Sequence, residues 1–293
     1  MNLIWTPNAE TGLTSTFDIG SADPSPYQLL FGEFGGFSGA STTQYTGKSP
    51  YQQGQSYYAQ VVEERAIDIT FRVIGTSFDD LNVKKRTIAR YFAPASGAGT
   101  LRVSLPDGSL FDIVAVPDGA PLFNDRRALS KHSTICTVYM IAYSPFWFDP
   151  SEKSMMVSLF SGGFTIPFTV PFGIGMVGGG ILTNSGHVPT PVRIIVPGPM
   201  TDPVIENTRT GEKISVTQVL VEGEYLTIDT SFEAPIVTFT SDGVTTSLFD
   251  AVSADSEFFQ LLPGDNMISI SDTTSIGVNP FEFYWYDRYW GVL

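Results

Sequence analysis

One cysteine and two histidines in 293 residues leave little for thiol or imidazole chemistry. Cys136 alone excludes an intramolecular disulfide and a thiolate metal cluster. Its setting, the apolar run TICTVYMIAY, is that of a small buried hydrophobe. His132 in RRALSKHST and His187 in NSGHVPTP have loop-like neighbours, and no HxxxH or HExxH pattern occurs. Charge is scarce too, at 16% of residues, and cations are the scarcer sign: 16 Lys and Arg against 30 Asp and Glu. A net charge of −14 argues against a phosphate-gripping surface, so no specific nucleic-acid binding is expected. The opening MNLIWTPNAE lacks the basic region and apolar core of a secretory signal, and the chain is expected to be made and folded in a cytoplasm. From Ser154 to Val192 there is no Asp, Glu, Lys or Arg, a length that would cross a bilayer. Pro167, Pro171 and the glycine-dense second half of that run suit a stable helix poorly. No membrane span is expected there; an extended, buried connection over residues 151–182 is.

What is present reads as a folded, strand-rich protein. Hydrophobic residues make up 42%, enough for ample core, and the length favours two domains. The 28 glycines and 20 prolines are spread through the chain, as turns between many strands require. In AIDITFRVIG, Ile67, Ile69, Phe71 and Val73 alternate with Asp68, Thr70 and Arg72. In EYLTIDT, Leu226 and Ile228 alternate with Tyr225, Thr227 and Asp229. ICTVYMIAY is apolar on both faces and suits a central strand. Asp107-Gly108, Thr210-Gly211 and Asp242-Gly243 separate strand-like runs as hairpin turns do. A single helix is expected over about 77–93, with Ser77 as N-cap, Asp80 completing a capping box, Phe78, Leu81, Ile88 and Phe92 on one face, and Pro94 and Gly97 ending it. Residues 32–57, rich in Gly, Ser, Thr, Gln and Tyr, read as a projecting, contact-making arm. Seven aromatics crowd the last thirteen positions, FEFYWYDRYWGVL. Phe281, Phe283 and Trp285 alternate as in a final strand with one face in a core, while Tyr289 and Trp290 lie beyond the Asp287-Arg288 break.

Reactive constellations are missing. Gly36-Phe37-Ser38-Gly39-Ala40 lacks the last glycine of a nucleophile elbow. The match to G-x-G-x-x-G at Gly173, Gly175 and Gly178 is followed by more glycine instead of a helix, so no dipole anchors a pyrophosphate. No Walker loop occurs. Asp149 and Asp229 are carboxylates with no spacing that marks an acid–base pair. No enzyme activity is expected, and no catalytic, cofactor-binding or metal-binding residue is assigned; no cofactor is expected.

The order of these stretches resembles the distal tail protein family (Dit) of long-tailed, siphovirus-type bacteriophages. Its ordering is seen in VVEERAIDITFRVIG, the capped helix FDDLNVKKRTIARYFAP, LRVSLPDGSLFDI and a long strand ending in SPFWFDP. The second half is similar through Asn184-Ser185-Gly186 before TPVRIIVPG, through DPVIENTRTGEKI, and through Gly223, Asp229, Pro263, Gly264 and Asn266 in GEYLTIDT and LLPGDNMISI. The resemblance implies a mainly β chain of two β-sandwich-like domains: residues 1–150, ring-forming, with the helix and arm, and residues 183–293, galectin-like. It implies a structural virion protein of the tail tip, a ring-shaped hub, usually hexameric, that joins the major tail tube protein to tail-tip or baseplate hub proteins around a channel for DNA. Candidate interface residues are Tyr45, Tyr51, Tyr57 and Tyr58 in the arm, and Trp290. The alternative expectation is a carbohydrate-binding host-adhesion module of the tail tip.

Overall fold

The computed structural model describes residues 1–8, 16–20, 25–125, 131–158, 177–232, 234–272 and 279–293. The charge-free run is therefore described only at its two ends, and the G-x-G-x-x-G match lies outside the described residues except for Gly178. The chain is mainly β with one α-helix and divides into two compact units, Met1–Pro150 with Tyr289–Leu293, and Ser151–Arg288.

The first unit contains β1 (Asn2–Thr6), β2 (Phe17–Ile19), β3 (Tyr27–Gly35), β4 (Thr42–Gly47), β5 (Ser56–Val62) and β6 (Arg65–Ile74). After the helix α1 (Phe78–Tyr91) come β7 (Gly99–Ser104), β8 (Leu110–Pro117), β9 (Leu122–Asn124), β10 (Ser133–Ala142) and β11 (Trp147–Phe148). Its main sheet runs β2-β1-β7-β8-β10-β6-β3. The sheet curls until its ends meet: Gly20 N–H donates to Tyr27 O at 3.0 Å, and Leu29 N–H to Gly20 O at 2.8 Å. β6 and β10 pair without interruption from Ser133↔Ile74 to Ala142↔Arg65. Ile67, Ile69, Phe71 and Val73 are buried on one face of β6, as the alternation requires, and most of β10 is buried on both faces. Cys136 is fully buried there, and desolvation pushes its thiol up to about 12, so it stays protonated and inert.

α1 closes this core with Leu81, Ile88 and the following Phe92, whose ring stacks on Trp5 at 5.7 Å. Phe78 does not join them: it is largely exposed. Helical geometry places it about 60° from Leu81 around the axis, past the edge of the narrow buried stripe. Ser77 caps the helix by accepting the Asp80 N–H at 3.1 Å, while the Asp80 carboxylate reaches back one residue further than a capping box, to Thr76 N–H at 2.7 Å. The Lys84 ammonium at 2.8 Å and the Thr76 N–H hold the Asp80 carboxyl down to about 2. Against an unfolded value of about 3.9, its stabilising contribution is complete above roughly pH 4 and lost as pH falls through about 2. A carbon-detected NMR titration is expected to show Asp80 as a low outlier that moves back toward the ordinary range in Lys84→Met.

The second unit contains β12 (Lys153–Val157), β13 (Val177–Asn184), β14 (Val192–Pro197), β15 (Met200–Thr201), β16 (Val204–Asn207) and β17 (Glu212–Ser215). They are followed by β18 (Val219–Leu220), β19 (Tyr225–Asp229), β20 (Ile236–Ser241), β21 (Val244–Ser247), β22 (Gly264–Ser271) and β23 (Phe281–Trp285). Two antiparallel sheets, β12-β23-β14-β19-β20-β21 and β13-β22-β16-β17, share one core. Val157, Ile194, Ile228, Phe281 and Phe283 come from the first sheet, Leu182, Ile205, Ile214, Ile268 and Ile270 from the second. The described parts of 151–182 are thus largely strand, β12 and β13, where a connection was expected. Their period-2 burial was hidden by glycine and by the absence of charge on the outer face. The Asp242-Gly243 turn has φ of 49° and 77°, the left-handed pair that a two-residue hairpin needs.

Candidate assembly surfaces

The arm is a two-stranded ribbon of its own, β4 paired with β5 and apart from the main sheet. It spans 42–62, later than the expected 32–57, because Gly32–Gly35 continue β3 along β6 through a bulge. Its residues explain its composition. Tip glutamines staple the turn: Gln52 Oε1 accepts Ser49 N–H at 3.0 Å, Gln52 Nε2 donates to Ser56 Oγ at 2.9 Å, and Thr46 Oγ1 donates to Gln55 Oε1 at 2.7 Å. A bulge shifts the register between Tyr45↔Ala59 and Thr46↔Tyr57, and the Tyr58 ring lies across Gly47, where a Cβ would sit 2.6 Å from it. Tyr45, Tyr51, Tyr57 and Tyr58 are 53%, 104%, 62% and 70% exposed. Tyr51 at the tip adopts φ of 67°, a left-handed conformation unusual for an aromatic residue. Val61 is exposed beside them and was not anticipated. Lys48 is the only charge between Thr42 and Val62.

Trp290 is not part of this ribbon. It is 38% exposed, packs edge-on against Phe146 at 5.6 Å, and belongs to the segment Tyr289–Leu293 that returns to the first unit. The aromatics at the chain end therefore serve two cores: Phe281, Phe283 and Trp285 the second, Tyr289 the first, through Phe111 at 5.1 Å. Gly291 passes so close to the chain that a Cβ there would fall 1.6 Å from Ser38 O, and Val292 N–H donates to Phe37 O at 2.8 Å.

The residue that ties the arm's base to this segment is Arg65, fully buried and without a carboxylate partner among the described residues. Its guanidinium donates to Pro145 O and Gly36 O, each at 2.6 Å, and to Trp290 O. Burial pulls its pKa below the usual arginine range while leaving it charged near neutrality. It sits two residues past Glu63, whose N–H closes the ribbon on Ser41 O at 2.9 Å. In the sequence EER it reads as a solvated charge run, and no local signal marks it as buried.

Asp229 accepts Ser231 N–H at 2.9 Å in a turn. The backbone of His132 accepts Gly75 N–H, and that of His187 donates to Arg288 O. A depression of about 410 Å³ lined by Ile4, Thr6, Thr16, Asp18, Thr100, Arg102 and Asp112 holds two carboxylates, but Asp112 is committed to Arg102 through two bonds of 2.7 Å. Among the described residues no three metal-ligating side chains converge, and no helix is long and apolar enough to cross a membrane. On the six-stranded sheet, the Arg193 guanidinium lies 4.6 Å from the Tyr284 ring centre.

Comparison places this architecture. Residues 185–289 match the model of the siphovirus-type tail component, C-terminal domain. The crystal structure of the Dit protein of phage SPP1, described as a paradigm of the hub adsorption apparatus in phages infecting Gram-positive bacteria, is similar at TM-score 0.64 and 12% identity, covering 89% of this chain and 93% of its own. A chain of the phage P2 baseplate in its activated conformation with Ca is similar at TM-score 0.52 and 10% identity, covering 97% of each. No curated protein matches in sequence. The second unit is thus similar, over residues 185–289, to the siphovirus-type tail component domain. The model it matches is the Dit one, and the fold of nearly the whole chain is that of SPP1 Dit.

Proposed function

We propose that the protein is a structural component of a phage tail tip, a distal hub that acts by assembly and not by catalysis. The observation that carries this is the β4–β5 ribbon on a hub fold. An isolated two-stranded ribbon is marginal in water, and among the described residues this one keeps both edges unpaired, with four tyrosines and Val61 exposed. Aromatics with little charge, here Lys48 alone, are the composition of interface cores. The first unit then forms the wall of a closed ring, a homohexamer, with the ribbon lying on the neighbouring subunit. The second unit is the galectin-like domain that points outward. The ring joins the tail tube protein to the tip or baseplate proteins in the virion, is assembled in the host cytoplasm, and leaves a channel for DNA.

Charge divides unequally between the units: eleven Lys and Arg against fourteen Asp and Glu in the first, five against sixteen in the second. A ring wall built from the first unit is therefore close to balanced, and the acidity belongs to the second. Light scattering and negative-stain electron microscopy over a range of concentration are expected to show six-fold rings with a central hole. Tyr57→Ser/Tyr58→Ser is expected to weaken ring formation roughly tenfold or more while leaving the melting temperature nearly unchanged. Rings that persist in that variant would remove the ribbon from the contact.

A further inference from the structure

The outer face of α1 is unlike the rest of the first unit. Opposite Leu81 and Ile88 lie Val83, Arg86 and Arg90, all exposed, with Phe78 and Ala89 beside them. The neighbouring lysines are engaged, Lys84 with Asp80 and Lys85 with Asp125, each at 2.8 Å. Arg86 and Arg90 have no carboxylate partner among the described residues. They form a small cationic and apolar strip on a chain of net charge −14.

The second unit carries the converse. Glu224 staples two neighbouring turns: its carboxylate accepts Val221 N–H at 2.9 Å and Ser241 Oγ–H at 2.8 Å. With Tyr225 paired to Thr240, the turn holding Glu222 lies beside the turn holding Asp242, and Val221, Tyr225 and Val244 are exposed there. Four of the five cations of this unit are used elsewhere. Lys153 pairs with Asp287, Arg193 with Glu152 and Lys213 with Asp255, while Arg209 donates to the Pro263 and Asp265 carbonyls. Glu222 and Asp242 have no cation partner among the described residues.

We propose that the Val83–Arg86–Arg90 strip of α1 docks on the Glu222/Asp242 tip of the second unit of another copy of this chain. Each patch joins two like charges to exposed aliphatic and aromatic surface, and the two are opposite in sign. Each copy carries both, so the contact is heterologous and propagates from copy to copy, as a ring requires. It is separate from the ribbon and adds a second, salt-sensitive link to the assembly reading above. Opposite charges across such a contact set register and association rate, and both weaken as salt screens them.

The test is sedimentation velocity on the full chain at low and high salt. All four charged residues are exposed, so their reversal is expected to leave folding intact. Wild type is expected to self-associate at low salt and less at high salt. Arg86→Glu/Arg90→Glu and Glu222→Lys/Asp242→Lys are each expected to weaken association roughly tenfold or more. The two variants mixed, and the quadruple variant alone, are expected to recover it. Association indifferent to either reversal, or not recovered in the mixture and the quadruple variant, overturns the contact, as does a wild type that stays monomeric at low salt. Tyr57→Ser/Tyr58→Ser run alongside separates the two readings: rings lost there but unaffected by charge reversal leave the hub standing without this contact.

Discussion

Arg65→Met is expected to destabilise the first unit by about 4 kcal/mol or more, one of the larger effects any single change in this chain will produce. Three carbonyls, those of Gly36, Pro145 and Trp290, depend on this one side chain. Each is stranded by an apolar replacement, at a cost of about 1–3 kcal/mol for a buried group. Methionine keeps most of the volume and the contact with the Trp147 ring, which the guanidinium carbon approaches at 6.0 Å, so the loss isolates the hydrogen bonds. Arg65→Lys is expected to fall between, because an ammonium lacks the planar fork that serves three directions. In differential scanning calorimetry the transition of the first unit is expected to drop by roughly 10 °C. A loss under about 1 kcal/mol would mean that water already reaches these carbonyls and that the clamp is idle.

This clamp also marks the limit of what the sequence displays. Strands with one buried face are legible because the pleat turns burial into alternation: β6 and β19 bury the residues their patterns name. α1 is legible from Ser77 and from the spacing of Leu81 and Ile88, and Phe78 misleads because a first-turn residue sits at the margin of the stripe. Turns are legible where φ must be positive, as at Gly108, Gly211 and Gly243. Arg65 is not legible, since burial of a cation depends on carbonyls from positions 36, 145 and 290 that no local pattern relates. The return of Tyr289–Leu293 to the first unit is hidden for the same reason. Of the proposed assembly surface, the ribbon tyrosines stand out in the sequence as aromatics in a polar, glycine-rich stretch. The α1 strip does not, because Lys84, Lys85, Arg86 and Arg90 read as one basic run until Asp80 and Asp125 are seen to engage two of them.

Asn266→Leu is expected to cost the second unit about 3–4 kcal/mol, more than its size or polarity suggests. The residue is fully buried, and its amide replaces a stretch of missing ladder. Oδ1 accepts Leu262 N–H at 2.9 Å, and Nδ2 donates to Leu262 O at 2.7 Å and Gly264 O at 3.0 Å. It thereby fixes the Leu262–Asn266 turn, in which Gly264 needs φ of 89°. Asn207 Nδ2 adds a longer bond of 3.3 Å to the same oxygen. Asn184 plays the same part where β13 ends, donating to Val188 O and Leu261 O while accepting Gly186 N–H at 2.8 Å. Gly186 in turn has no room for a Cβ, which would lie 2.3 Å from Arg288 O. Asn184, Gly186 and Asn266, three of the residues that make this half resemble a tail component, are therefore buried and hold turns in place. Leucine at 266 keeps the branched shape but is larger, and it leaves the Leu262 N–H and both carbonyls unserved, so the deficit combines lost hydrogen bonds with overpacking. Calorimetry of the full chain is expected to show the second-unit transition lowered with the first unchanged. If instead both move together by the same amount, the two units unfold as one cooperative block, and the division seen in the fold is not a division of stability.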